Sequence, residues 1–124
     1  MNTLDAFAPV DVNRMTLDSA PVSDELREEG TPRTGSQELG RISGAPVGVW
    51  EMTAGVMRDI EVHEVFVVIS GAATVELLED GSVVRSIELY PGVLCRLAAG
   101  MRTRWTVPDA LRKVYILGRP DAAA

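Results

Sequence analysis

Three ionisable side chains stand within four residues at Glu61, His63 and Glu64, and they open the run EVHEVFVVISG. Carboxylates beside an imidazole can serve as general acids or bases, and they can ligate a metal. His63 is the only histidine of the chain, however, so one chain cannot build a transition-metal site from two or three imidazoles. Cys95 is the only cysteine, which excludes an internal disulfide. A reactive cysteine generally needs a base beside it, and the one histidine is remote in sequence, so Cys95 reads as a small core hydrophobe. A carboxylate-rich metal site with one histidine stays open, so metal binding is demoted and not excluded.

These residues must be held by a scaffold, and the pattern around them shows which kind. Val65 to Ile69 is too short to span a bilayer and too β-branched for a favourable helix, so it reads as a strand buried on both faces. From Gly44 onward, short apolar segments alternate with turn signals at Gly55, Gly71, Glu79-Asp80-Gly81, Pro91-Gly92, Ala99-Gly100 and Pro108-Asp109. Strands are expected at about 47–53, 62–69, 73–78, 83–89, 94–98, 104–107 and 112–117, which makes an antiparallel sandwich or barrel. Asp80-Gly81 predicts a tight hairpin, because both central positions can take positive φ.

Residues 1–40 read differently. They carry Pro9, Pro21, Pro32 and Thr34-Gly35-Ser36, with little apolar periodicity. An extended or partly disordered N-terminal arm is expected there, with a helical turn at Asp24–Glu29 capped by Ser23. Its Val10, Met15, Leu17, Val22 and Leu26 are expected to lie against the body of the domain or a second subunit. Residues 41–118 form the barrel, and 119–124 a frayed tail.

The chain has 124 residues, enough for one domain with a real core. A net charge of −6, with no compensating basic cluster, argues against nucleic acid as a partner. No apolar run is long enough for a membrane span, and the N-terminus is acidic where a signal peptide would be basic, so no membrane partner and a cytoplasmic location are expected.

The segments VGVWEMTAG, EVHEVFVVISGAATVE, EDGS, LYPGVLCRLAAGMRTRWTV and LRKVYIL, in that order, resemble a small single-domain cupin, over roughly Pro46 to Leu117. The branch they look most like includes the cupin domain of ureidoglycine aminohydrolase. The resemblance implies an all-β double-stranded β-helix, or jelly-roll barrel, with the N-terminal arm added to it. Metal-binding cupins place two histidines and a glutamate on a first motif and a third histidine on a second. Here Glu64 occupies the glutamate position. The first two histidine positions fall near Arg58 and Ile60, or at Met57 and Asp59 if the strand bulges, and the third falls on Thr103. No metal or other cofactor is therefore expected, since the single histidine, His63, sits beside Glu64 and strand alternation sends it to the other face.

The resemblance also implies which residues line the lumen. With Glu64 inward, Phe66 and Val68 follow; with Thr103 inward, Trp105 follows; the family pattern adds Tyr115 and, by parity, Lys113. Glu51 is expected to join them, with Glu61 nearer the rim. The ligand-binding set is thus Glu51, Glu61, Phe66, Thr103, Trp105, Lys113 and Tyr115, with Glu64 as the catalytic candidate. Three functions fit this set. The first is a cupin that binds a small polar metabolite without chemistry of its own. The second is a hydrolase of ureido or amino compounds, resembling ureidoglycine aminohydrolase, with Glu64 as general base and a metal to polarise the substrate. The third is a structural or regulatory dimer with a filled barrel. A homodimer is the expected assembly.

Overall fold

The structure, a computed structural model, describes residues 4–119. It contains nine strands: β1 Ser19–Pro21, β2 Arg27–Glu29, β3 Arg33–Ile42, β4 Ala45–Ile60, β5 Glu64–Gly71, β6 Ala73–Glu79, β7 Ser82–Leu89, β8 Leu94–Leu97 and β9 Arg102–Leu117. All pairings are antiparallel. The all-β jelly-roll fold read from the sequence is the fold observed. Among the described residues no helix is long and apolar enough to cross a membrane.

Two 16-residue strands, β4 and β9, run side by side and belong to both layers of the roll. The second half of β9, from Leu111, pairs with β5, whereas its first half, Arg102 to Thr106, pairs with β6. One layer is therefore β1-β3-β4-β9-β5-β8, and the other is built from β2, β4, β9, β6 and β7. The strand pair changes layer where its register shifts, between Thr53 and Gly55 on β4 and between Val107 and Ala110 on β9. Gly55 and Pro108-Asp109 were expected to reverse the chain. Instead they bend two continuous strands, because a shift of register turns a strand without ending its pairing. Gly55 has φ 147°, and a Cβ there would stand under 3 Å from Pro32.

The turns are tighter than the bends. Asp80 and Gly81 both have positive φ and close a two-residue hairpin between β6 and β7, as their chemistry predicts. Ser43-Gly44 closes the β3–β4 hairpin in the same way.

The N-terminal segment is part of this architecture. β3 crosses the expected boundary at residue 40, and β1 and β2 add short strands to β3 and β4. The helical turn expected at Asp24–Glu29 is one turn only: the N–H groups of Leu26 and Arg27 donate to the Ser23 carbonyl, and Arg27 then enters β2. Pairing with β4 supplies β2 with backbone partners that one helical turn could not keep. The frayed tail expected at 119–124 lies outside the described residues except for Arg119.

Alternation along the strands sorts the apolar residues into two cores. The main one, between the layers, holds Met52, Met57, Phe66, Val68, Leu89, Trp105, Val107, Leu111 and Tyr115. A second, on the back of β4, packs Val49 against Met15, Leu17 and Leu39, so the arm covers its own body. Each such side chain contributes about 1.5–3 kcal/mol by leaving water.

Candidate functional site

The lumen is only partly filled. A cavity of about 300 Å³ is walled by Trp50, Trp105, Tyr115, Glu61, Glu64 and Lys113, with Asp59 and the exposed Ser36 toward its mouth. Strand register explains this set. Trp50 stands opposite Lys113, Met57 opposite Trp105, and Asp59 opposite Thr103, all across the β4–β9 pair. Phe66 of β5 stands opposite Tyr115.

Lys113 is 5% exposed, and its Nζ donates to Glu64 Oε2 at 2.6 Å. The same ammonium lies 4.3 Å from the ring centre of Phe66, 4.8 Å from that of Trp50 and 4.9 Å from that of Trp105. Three rings and one carboxylate thus hold a single charge. A second polar group sits beside it. The Thr103 hydroxyl donates to Glu61 Oε2 at 2.5 Å, and the Trp105 indole N–H is shared between the same oxygen, at 3.0 Å, and Thr103 Oγ1, at 3.1 Å.

Burial acts on the carboxylates against this pairing. Desolvation raises the Glu64 pKa, although the Lys113 ammonium pulls it down. Asp59 is raised to about 6, first by desolvation and then by the charge of Glu61. A carboxyl group in that range can exchange a proton near neutral pH.

Of the residues expected at the site, Glu64, Phe66, Thr103, Trp105, Lys113 and Tyr115 are brought together here. Glu61, expected near the rim, is buried at 7% exposure because Thr103 and Trp105 draw its carboxylate inward. Glu51 requires a correction. It faces the back of β4, where it pairs with Arg112 at 2.9 Å, because its neighbour Trp50 takes the inward position. Trp50 and Ser36 lie outside the expected ligand-binding set, and Asp59 enters the sequence reading only as a metal position of the bulged strand. Counting back from Glu61 by twos reaches Asp59 and Met57, and that alternation was the available signal.

His63 lies outside the lumen, where its Nδ1 accepts the Ala99 N–H at 3.3 Å. Cys95 is half-buried against the main core, and burial pushes its thiol pKa up, which makes it less reactive. Arg104 is tied to Glu28 at 2.6 Å and Glu76 at 3.3 Å on the outer face.

The metal positions of the cupin pattern settle on Met57, Asp59, Glu64 and Thr103. These donors do not fit a cupin metal. None is an imidazole, and Glu64 spends one oxygen on an ammonium. Among the described residues no cluster of three His, Cys, Asp or Glu is arranged to hold an ion.

Solved structures share this architecture. The EutQ protein of Clostridium difficile is 18% identical and superposes with a TM-score of 0.66 over 92% of this chain and 88% of its own. A protein of unknown function from the DUF861 family of Pseudomonas syringae gives 24% identity and a TM-score of 0.70 over 87% of this chain, which spans only 46% of that one. A cupin superfamily protein from Desulfitobacterium hafniense gives 8% identity and a TM-score of 0.62, with 94% of each chain covered. At these identities the likeness is one of fold. Among curated proteins no sequence matches. The family model for the EutQ-like cupin domain matches residues 39–115, more than half of the chain. With strand order, lumen and family model in agreement, the chain belongs to the EutQ-like cupin domain family.

Proposed function

We propose that this protein binds a small polar metabolite in the cavity between Glu61, Glu64 and Lys113. One observation carries the reading: four polar side chains are buried in two bonded pairs, Thr103 with Glu61 and Lys113 with Glu64, beside a cavity that apolar residues could have filled. Replacing a buried ion pair by well-packed apolar residues is often neutral or stabilising, so stability alone gives little reason to keep one there. That argues against a barrel that merely fills itself. Native mass spectrometry against a library of polar metabolites tests the reading. A saturable adduct is expected, lost when Ser36→Phe closes the mouth. No adduct, or one equally retained by that variant, overturns it.

A second reading is favoured by the raised carboxyls. Asp59 and Glu64 have the elevated proton affinity of general bases, which supports hydrolysis of a ureido or amino compound, as in the ureidoglycine aminohydrolase branch. Ammonia released from such compounds, and lost in Glu64→Gln, would move the assignment to a hydrolase. We also propose a homodimer as the working assembly, which light scattering checks.

A further inference from the structure

We propose that the ligand of this cavity is a small organic cation, one that presents an ammonium or guanidinium group to Glu61 and Asp59 beside the Trp50 ring. The inference rests on the small-molecule-binding reading above and names the ligand class.

The charges of the lumen do not balance. Asp59, Glu61 and Glu64 face it, and Lys113 is the only basic side chain that lines it among the described residues. That one cation is already committed, at 2.6 Å from Glu64 and against three rings. Arg58, next to Asp59 in sequence, points away and pairs with Glu28 at 3.2 Å. Among the described residues no ion pair is made by Glu61.

The acceptors are also incompletely used. Glu61 is 7% exposed, and its two donors both go to Oε2, so Oε1 has no partner among the described residues. The partner of Asp59 is the neighbouring Ile60 N–H, at 2.8 Å on Oδ1, which leaves Oδ2 free. Glu64 Oε1 is likewise without a donor. No buried side-chain oxygen among the described residues lacks a partner, so these three open onto the cavity, where a positively charged N–H donor can reach them and an anion would be repelled.

The walls agree with the acceptors. Trp50 is half-buried and lines the cavity, and its ring packs 5.5 Å from that of Trp105. The ammonium of Lys113 shows that this set of rings accepts a cation. An alkylammonium group against Trp50 would repeat that contact.

Size-matched probes of charge +1, 0 and −1 test the inference: n-propylammonium, propionamide and propionate, titrated into the full chain while the two indole N–H signals are followed by NMR. The expected result is saturable movement of both signals with n-propylammonium alone. The affinity should fall about tenfold in Glu61→Gln, the loss of one charge-assisted contact. Where Glu61→Gln fails to fold, Asp59→Asn is the second variant, with the same direction expected. Saturation by propionamide or propionate in preference to the cation overturns the inference and leaves the small-molecule reading standing. Silence from all three probes overturns both.

Discussion

Arg112 and Lys113 are neighbours on β9, each holds a glutamate, and the two pairs do different work because strand alternation sends them to opposite faces. Arg112 reaches Glu51 at 2.9 Å and also the carbonyls of Val12 and Met15, at 2.9 and 2.6 Å. Its planar fork fastens the N-terminal arm to the back of β4. Lys113 has a single hydrogen-bonded partner, Glu64, and keeps its remaining contacts for aromatic rings beside the cavity. A guanidinium with three partners is a fastener; an ammonium held by one carboxylate and three rings sets the charge of the cavity wall.

That contrast can be broken by substitution. Lys113→Met should have the largest effect, since it strands the buried Glu64 charge; a loss of about 3–5 kcal/mol in urea denaturation is expected. Adding Glu64→Gln should restore much of it. Arg112→Gln should cost about 1–2 kcal/mol, and it should open the segment before Ser19 to protease while the indole signals of the lumen stay in place. Equal losses from the two single variants would erase the distinction between the two pairs.

A pH experiment sharpens it on the lumen side. The Asp59 pKa is raised from 3.8 to about 6, so the folded chain holds this proton more tightly than the unfolded chain does. Its contribution to stability is present below about pH 4 and is lost as pH rises through about 6. Asp59→Asn should therefore leave stability at pH 4 little changed and raise it at pH 7 by roughly 1–2 kcal/mol, allowing for partial exposure. Chemical denaturation at the two pH values measures this. The smallest effect is expected for Arg104→Gln on the outer face, below about 1 kcal/mol, because its partners Glu28 and Glu76 are solvent-accessible.

Much of the lumen was legible in the sequence because a strand sorts residues by parity. Once Glu64 and Thr103 are turned inward, Phe66 and Trp105 follow, and with Tyr115 placed inward by the family resemblance Lys113 follows by parity. Where parity was not applied, the reading failed: Trp50 and Glu51 cannot share a face, and the aromatic took the inner one. Asp59 and the depth of Glu61 were harder to see. They depend on how the chain leaves β4 and enters β5 between Glu61 and His63, and on the pull of Thr103 and Trp105 from a strand about 40 residues away. Glycine and proline at 55 and 108 were read as chain reversals because local chemistry marks a bend without saying whether the pairing survives it.

The bend itself has a geometric consequence. Glu61 is held by Thr103 and Trp105, which lie before the bend of β9, and Glu64 by Lys113, which lies after that bend. The spacing of the two acidic groups is therefore dictated by a corner that touches neither. Any change at Gly55 or Pro108 would alter the gauge of the lumen, and with it the length of molecule that fits, without disturbing a single atom that meets the guest.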